Sequence, residues 1–232
     1  MDINKGKTLV NKDEKSIHAT DDEKYQIIHF KETLPNKDKK NVTKIKGKGR
    51  DNCSLAVGLY KYLKSYNIPT YFKKQIQPNE ILINKVDMIP VKISIWNIAS
   101  GDFKKNYKIK KGEFLKCPVI EYYLNDKQLN FPMINMDHII AFDCATGEEC
   151  RVLDIYTRKI NAVLKSYFER RGYKLGKFEL EFGRWKDGII LASDVTPDNC
   201  QLWDIRQQEK RWFYLNKKNV LQAYKELMGK LL

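Results

Sequence analysis

The run Lys177-Phe178-Glu179-Leu180-Glu181-Phe182-Gly183 alternates charged and hydrocarbon side chains. In a strand, this period of two sends Phe178, Leu180 and Phe182 to one face and Lys177, Glu179 and Glu181 to the other. Asp187-Gly188 is a strong hairpin signal, and counting back from it predicts Lys186 opposite Ile189 and Glu181 opposite Asp194. Facing carboxylates repel, so the pair calls for a cation: Lys177, a bound Mg2+ or solvent. Mg2+ is typically held by one or two carboxylates together with substrate phosphates, which makes Glu181 and Asp194 a candidate metal pair in a nucleotide site. The alternative is an exposed charged face neutralised by nearby lysines. A one-residue slip would exchange Asp194 for Ser193.

Several elements must position this strand. Residues 8–10, 16–19 and 25–30 read as short strands of a small antiparallel sheet, separated by polar turns such as Asp21-Asp22. Residues 32–48 read as a polar loop closed by Gly47-Lys48-Gly49. A helix follows, with Leu55, Leu59, Tyr60 and Leu63 at helical spacing, and Asn67-Ile68-Pro69 stops it. Residues 70–74, 81–86 and 91–98 are extended. The segment 87–90 is expected to be a hinge, because Pro90 restricts Ile89 to extended conformations. A long helix over about 148–171 carries Val152, Tyr156, Ile160, Val163, Leu164, Tyr167 and Phe168 on one stripe, with Gly172 at its C-terminal cap position. A last helix is expected over 217–231.

With 232 residues, 42% of them hydrophobic and 31% charged, the chain can bury a substantial core. No apolar run reaches the roughly 18 residues that span a bilayer, and residues 1–5 lack the apolar core of a secretory signal, so a cytoplasmic protein is expected. The five cysteines form no CxxC pair and no Cys/His set at zinc spacing. A net charge of +14 favours anionic partners. Aromatic residues are not interleaved with the basic runs as stacking platforms, so a small-molecule substrate is expected rather than nucleic acid.

Taken in order, the segments resemble the SAICAR synthetases. Residues 17–22 resemble that family's early strand and turn, Gly47-Lys48-Gly49 with Asn52 its pre-helix segment, and residues 85–90 its adenine-side hinge. Asn97-Ile98-Ala99-Ser100-Gly101, Pro132-Met133-Ile134-Asn135 with Asp137-His138, residues 178–183 and residues 191–204 complete the series. The resemblance implies an α+β, two-lobed, ATP-grasp-like fold. A small antiparallel N-terminal lobe, residues 1–87, would cover the nucleotide, and a larger mixed α/β lobe, residues 88–232, would hold substrate and metal. It implies an ATP-dependent, amide-forming ligase of purine biosynthesis that joins aspartate to a carboxyaminoimidazole ribotide, with ATP and Mg2+ as cofactors and a homodimer as its assembly.

By the same resemblance, Lys15, Lys48, Lys85, Asp87, Met88 and Glu181 attend the nucleotide, and Glu181 and Asp194 the metal. Lys15, Lys177 and Glu179 are the catalytic candidates, and Trp96, Asn97, Ser100, Asp102, Asp137 and Gln201 line the acceptor. The sequence departs from the family pattern at several of these places. Lys12-Asp13-Glu14-Lys15 stands where the family reads Gly-Lys-Ala-Lys. Glu179 replaces a lysine and Lys177 an acid, Ser193-Asp194 replaces Asp-Glu, Trp96 and Gln201 replace two arginines, and Asp102 replaces a serine. Losing a charge-assisted hydrogen bond from arginine to phosphate costs roughly 1.5–3 kcal/mol. These exchanges imply an altered, flatter and less charged acceptor, or an inactive family member that binds a nucleotide-like ligand or another protein.

Overall fold

The structure, a computed structural model, describes residues 3–34, 43–110, 112–204 and 220–232. The elements are β1 (Lys5–Asn11), β2 (Lys15–Thr20), β3 (Tyr25–Phe30), β4 (Thr33–Leu34), β5 (Thr43–Lys44), α1 (Lys48–Ser65), β6 (Phe72–Gln77), β7 (Glu80–Asn84), β8 (Asp87–Ile98) and α2 (Gly101–Tyr107). They continue with β9 (Phe114–Leu124), β10 (Met133–Ile134), α3 (Met136–Ala141), α4 (Gly147–Glu169), β11 (Tyr173–Trp185), β12 (Gly188–Leu191), β13 (Cys200–Asp204) and α5 (Val220–Leu231). Two compact units result: Met1–Val86 with Lys225–Leu232, and Asp87–Tyr224. Among the described residues, no helix is long and apolar enough to cross a membrane.

In the first unit the sheet order is β1-β2-β3-β7-β6, antiparallel throughout. Helix α1 packs on it, with Tyr60 stacked on Phe72 at 5.1 Å between ring centroids. Part of the stretch expected as a loop, residues 32–48, is instead the short β4/β5 pair, in which Thr33 faces Lys44. Its residues 35–42 lie outside the described residues, as do residues 217–219 at the expected start of the last helix.

In the second unit the order is β10-β9-β8-β11-β12, with β13 also pairing β11. The segment expected as a hinge is the opening of β8. Met88 pairs Gly183 and Lys92 pairs Glu181, with a register shift between them at Pro90. Proline has no N–H for the ladder, so it is tolerated at such a bulge. The hydrocarbon face of β11 is core, with Phe178, Leu180 and Phe182 at most 1% exposed, and α4 packs against β11.

Helix α4 opens with a capping box, in which Thr146 Oγ1 accepts from Glu149 N and Glu149 accepts from Thr146 N. Its other end is capped by Arg170, and the left-handed Gly172, φ 82°, follows two residues later in the turn before β11 rather than at the cap position expected of it. Glu149 also takes a two-pronged contact from Arg184 of β11, Nε at 2.6 Å and Nη2 at 3.0 Å. Arg184's hydrogen bonds, followed by those at Thr146, outweigh burial and hold the Glu149 carboxyl at about 2. A depressed carboxylate stabilises the fold above its ordinary pKa and loses that contribution as pH falls through the folded value. Urea unfolding should therefore lose about 2 kcal/mol from this group between pH 5 and pH 2, after allowing for partial exposure. Arg184→Met should flatten that part of the profile. An unchanged profile in the variant would refute the coupling.

Candidate functional site

The alternation that buries one face of the central strands displays a polar face on the other. On β8 it presents Lys92, Ser94 and Trp96, and on β11 their register partners Glu181, Glu179 and Lys177. On β9 it adds Tyr123 opposite Lys92 and Glu121 opposite Ser94. Trp96 Nε1 donates to Glu121 Oε2 at 2.7 Å, Tyr123 Oη to the same oxygen at 2.8 Å, and Tyr107 Oη to Glu121 Oε1 at 3.4 Å. Lys177 Nζ lies 2.8 Å from Glu179 Oε1 and Lys92 Nζ lies 3.6 Å from Oε2. Burial opposes the Glu179 charge, but the two lysines and the hydrogen bonds from Lys177 and Ser94 outweigh it and hold the carboxyl below its usual range.

The candidate metal pair is arranged differently from the sequence expectation. The hairpin turns at Lys186-Asp187, with Lys186 at φ 52°, and Gly188 already pairs Trp185. The register therefore shifts by two residues, and Glu181 meets Ala192, whose N–H donates to Glu181 O at 2.9 Å. The Glu181 N–H donates to Ser193 Oγ at 3.1 Å, and Asn125 Nδ2 donates to Glu181 Oε1 at 2.8 Å. Asp194 lies beyond the end of β12, 2% exposed, and its carboxylate and carbonyl both accept from Asn199 Nδ2. Among the described residues no cluster of three or more His, Cys, Asp or Glu side chains is poised for a metal. The oxygen-only donors Glu181 and Asp194 nonetheless suit a hard cation that takes its remaining ligands from phosphates.

Of the acceptor candidates, Ser100 and Gln201 come together, with Ser100 Oγ donating to Gln201 Oε1. Trp96 lies 5% exposed against Phe103. Asn97 falls on the opposite face of β8 and exchanges amide hydrogen bonds with Asn161 of α4 at 2.9 and 3.1 Å. Asp137 is exposed in the first turn of α3, and His138 closes a capping box with Asn135. Asp102 lies in α2, and its side chain is outside the described residues. Lys15 opens β2, Lys48 is fully buried at the first position of α1, and Lys85 follows β7, all in the first unit. Asp87 and Met88 open β8, with Asp87 accepting from Arg184 Nη1 at 3.3 Å.

The sequence profile of SAICAR synthetase matches residues 3–230. The phosphoribosylaminoimidazole-succinocarboxamide synthase of Clostridium kluyveri is 36% identical over 234 residues, covering 99% of each chain. The chain belongs to the SAICAR synthetase family. Among solved structures, the phosphoribosylaminoimidazole-succinocarboxamide synthase of Ehrlichia chaffeensis superposes with a TM-score of 0.88 at 32% identity, covering 97% of this chain and 98% of that one. A SAICAR synthetase in complex with ADP gives 0.88 at 29% identity, covering 97% of each.

The α+β fold is thus that of SAICAR synthetases, with two large antiparallel sheets, the short β4/β5 pair and a few helices among the described residues. Lys92, Ser94, Glu121, Tyr123, Asn125 and Phe131 were not among the sequence candidates. The alternation of Lys92, Ser94 and Trp96 with Val91, Ile93 and Ile95 was the available signal for the first two. Residues from β9 and from the loop behind it join the face only through strand pairing.

Proposed function

We propose that the chain is an ATP-dependent carboxylate–amine ligase of purine biosynthesis, joining aspartate to a carboxyaminoimidazole ribotide; whole-length similarity to relatives named for that reaction outweighs the altered acceptor and the inactive member expected from the site exchanges. The observation that carries this reading is identity maintained over 99% of both chains with a relative named for that reaction. The ADP complex of a similarly folded relative supports nucleotide use. The acceptor carboxylate takes the γ-phosphoryl group, the aspartate amine attacks the resulting acyl phosphate, and phosphate leaves. Catalysis of this kind is mainly positioning and charge stabilisation.

In this reading residues 1–87 cover the nucleotide and residues 88–232 hold the acceptor. Lys15 and Lys48 face phosphates, and the backbone at Asp87 and Met88 meets adenine. Lys177 stabilises charge at the attacked carboxyl, and Glu179 is its counter-ion when no ligand is bound. Glu181 and Asp194 would hold Mg2+, which neutralises phosphate charge when bound. The protein would act in the cytoplasm on small molecules, as a homodimer. Incubation with Mg-ATP, aspartate and the ribotide should release ADP only when both co-substrates are present and yield the succinocarboxamide by mass spectrometry. ADP release that ignores aspartate, or no release at all, would refute the reading.

A further inference from the structure

Two ammonium groups on the polar face converge on one carboxylate. Glu179 Oε1 accepts from Lys177 Nζ at 2.8 Å and from Ser94 Oγ at 3.3 Å, and Oε2 lies 3.6 Å from Lys92 Nζ. Each ammonium is also backed by a ring. Lys177 Nζ is 4.7 Å from the Trp96 centroid and Lys92 Nζ is 4.6 Å from that of Phe131. Such cation–π contacts hold a cation in place independently of any counter-ion.

Both rings are fixed from behind. Trp96 is tied to Glu121 and packed on Phe103. Phe131 has a φ of 51° and follows Asn130 at 56°, a pair of left-handed residues held by the hydrogen bond from Phe131 N to Asp126 O. A bulky residue in that conformation is strained, and such strain persists where the surrounding structure over-determines it, often at ligand sites. The scaffold therefore sets where the two cations stand, and Glu179 is the movable member. Its side chain is 34% exposed against 23% for each lysine. Carboxylate and phosphate both offer paired oxygens to charged donors of this kind.

We propose that Lys92, Ser94 and Lys177 form an oxyanion subsite that Glu179 fills from within the chain, so that a phosphate or carboxylate group of a ligand binds there by displacing the Glu179 side chain. The rest of the face agrees with a site closed to anions at rest. Glu121 and Glu181 add two further carboxylates, so the lysines are outnumbered while Glu179 stays in place. Neither of those two touches the lysine pair through a hydrogen bond, because Glu121 is satisfied by Trp96, Tyr107 and Tyr123, and Glu181 accepts from Asn125.

The test is isothermal titration of the full chain with inorganic phosphate, and separately with succinate, at fixed pH and ionic strength. Glu179→Gln keeps the shape and removes the charge, and Glu179→Ser empties the position, so a folding defect in one leaves the other to report. Each should bind at least one of the two probes about tenfold or more tightly than the parent chain, the worth of one recovered charge-assisted hydrogen bond. Adding Lys177→Met to Glu179→Gln should undo the gain. A gain for phosphate alone assigns the subsite to a tetrahedral oxyanion, and a gain for succinate alone assigns it to a carboxylate. No gain in either variant, or a gain that survives Lys177→Met, overturns the proposal. The outcome is independent of the ligase reading, since the probes bind or fail to bind whether or not the protein turns over.

Discussion

Mg-ATP should raise the thermal midpoint of the parent chain by several degrees, and Glu181→Ala should abolish that rise. A ligand present at 100 times its dissociation constant stabilises a fold by about 2.7 kcal/mol, and for a chain of this size each kcal/mol moves the midpoint by roughly 2–4 °C. The Glu181 carboxylate is half-buried at the end of the polar face, and the Asn125 amide donates to one of its oxygens. The strand itself is held by main-chain bonds that alanine retains, including Ala192 N to Glu181 O. The unliganded midpoint of the variant should therefore stay close to that of the parent, which separates loss of binding from loss of fold. Asp194→Asn is a less clean probe, because Asp194 is 2% exposed and held by Asn199, so its replacement disturbs the loop as well. A nucleotide-dependent rise that survives Glu181→Ala would remove Glu181 from the metal and nucleotide assignment.

What could be read in advance was local. The strands of the first sheet, the stripe of α4 and the burial of Phe178, Leu180 and Phe182 follow from hydrophobic period, which depends on neighbours a few residues away. The family resemblance rested on short segments in fixed order and so survived the site substitutions. The hairpin register was not legible to the residue. Asp187-Gly188 is the usual turn dipeptide, but Lys186 takes the left-handed position and Gly188 enters the strand. That moves Glu181 opposite Ala192 and brings Ser193 under its amide. The company of Glu179 was hidden for a different reason. It depends on Lys92 and Ser94 from a strand about 85 residues earlier in the chain, a pairing set by the whole sheet and not by any window of sequence.

The same contrast between local and non-local constraint gives the largest expected loss of stability, at Gly49. The triplet Gly47-Lys48-Gly49 contains two glycines needed for different physical reasons. Gly47 caps α1 at φ 88°, donates its N–H to the Glu32 carboxylate, and has only the tip of Arg50 near where a Cβ would stand. Its replacement by alanine meets only the left-handed backbone penalty, about 1–2 kcal/mol. Gly49 has an ordinary helical backbone, but a Cβ there would overlap Phe30 O and lie 3.1 Å from Phe30 C. Those are main-chain atoms at the end of β3, so no flexible side chain can yield, and the first turn of α1 must lift away from the sheet. Gly49→Ala should cost about 3 kcal/mol or more, the upper range for forced overpacking, against the smaller cost of Gly47→Ala. Lys48, fully buried between the two glycines, moves with that turn. Gly49→Ala should therefore weaken nucleotide binding as well as lower the urea midpoint, if Lys48 serves the phosphates. Equal costs for the two substitutions, measured by urea unfolding at neutral pH, would show that the close approach of α1 to β3 does not limit this triplet.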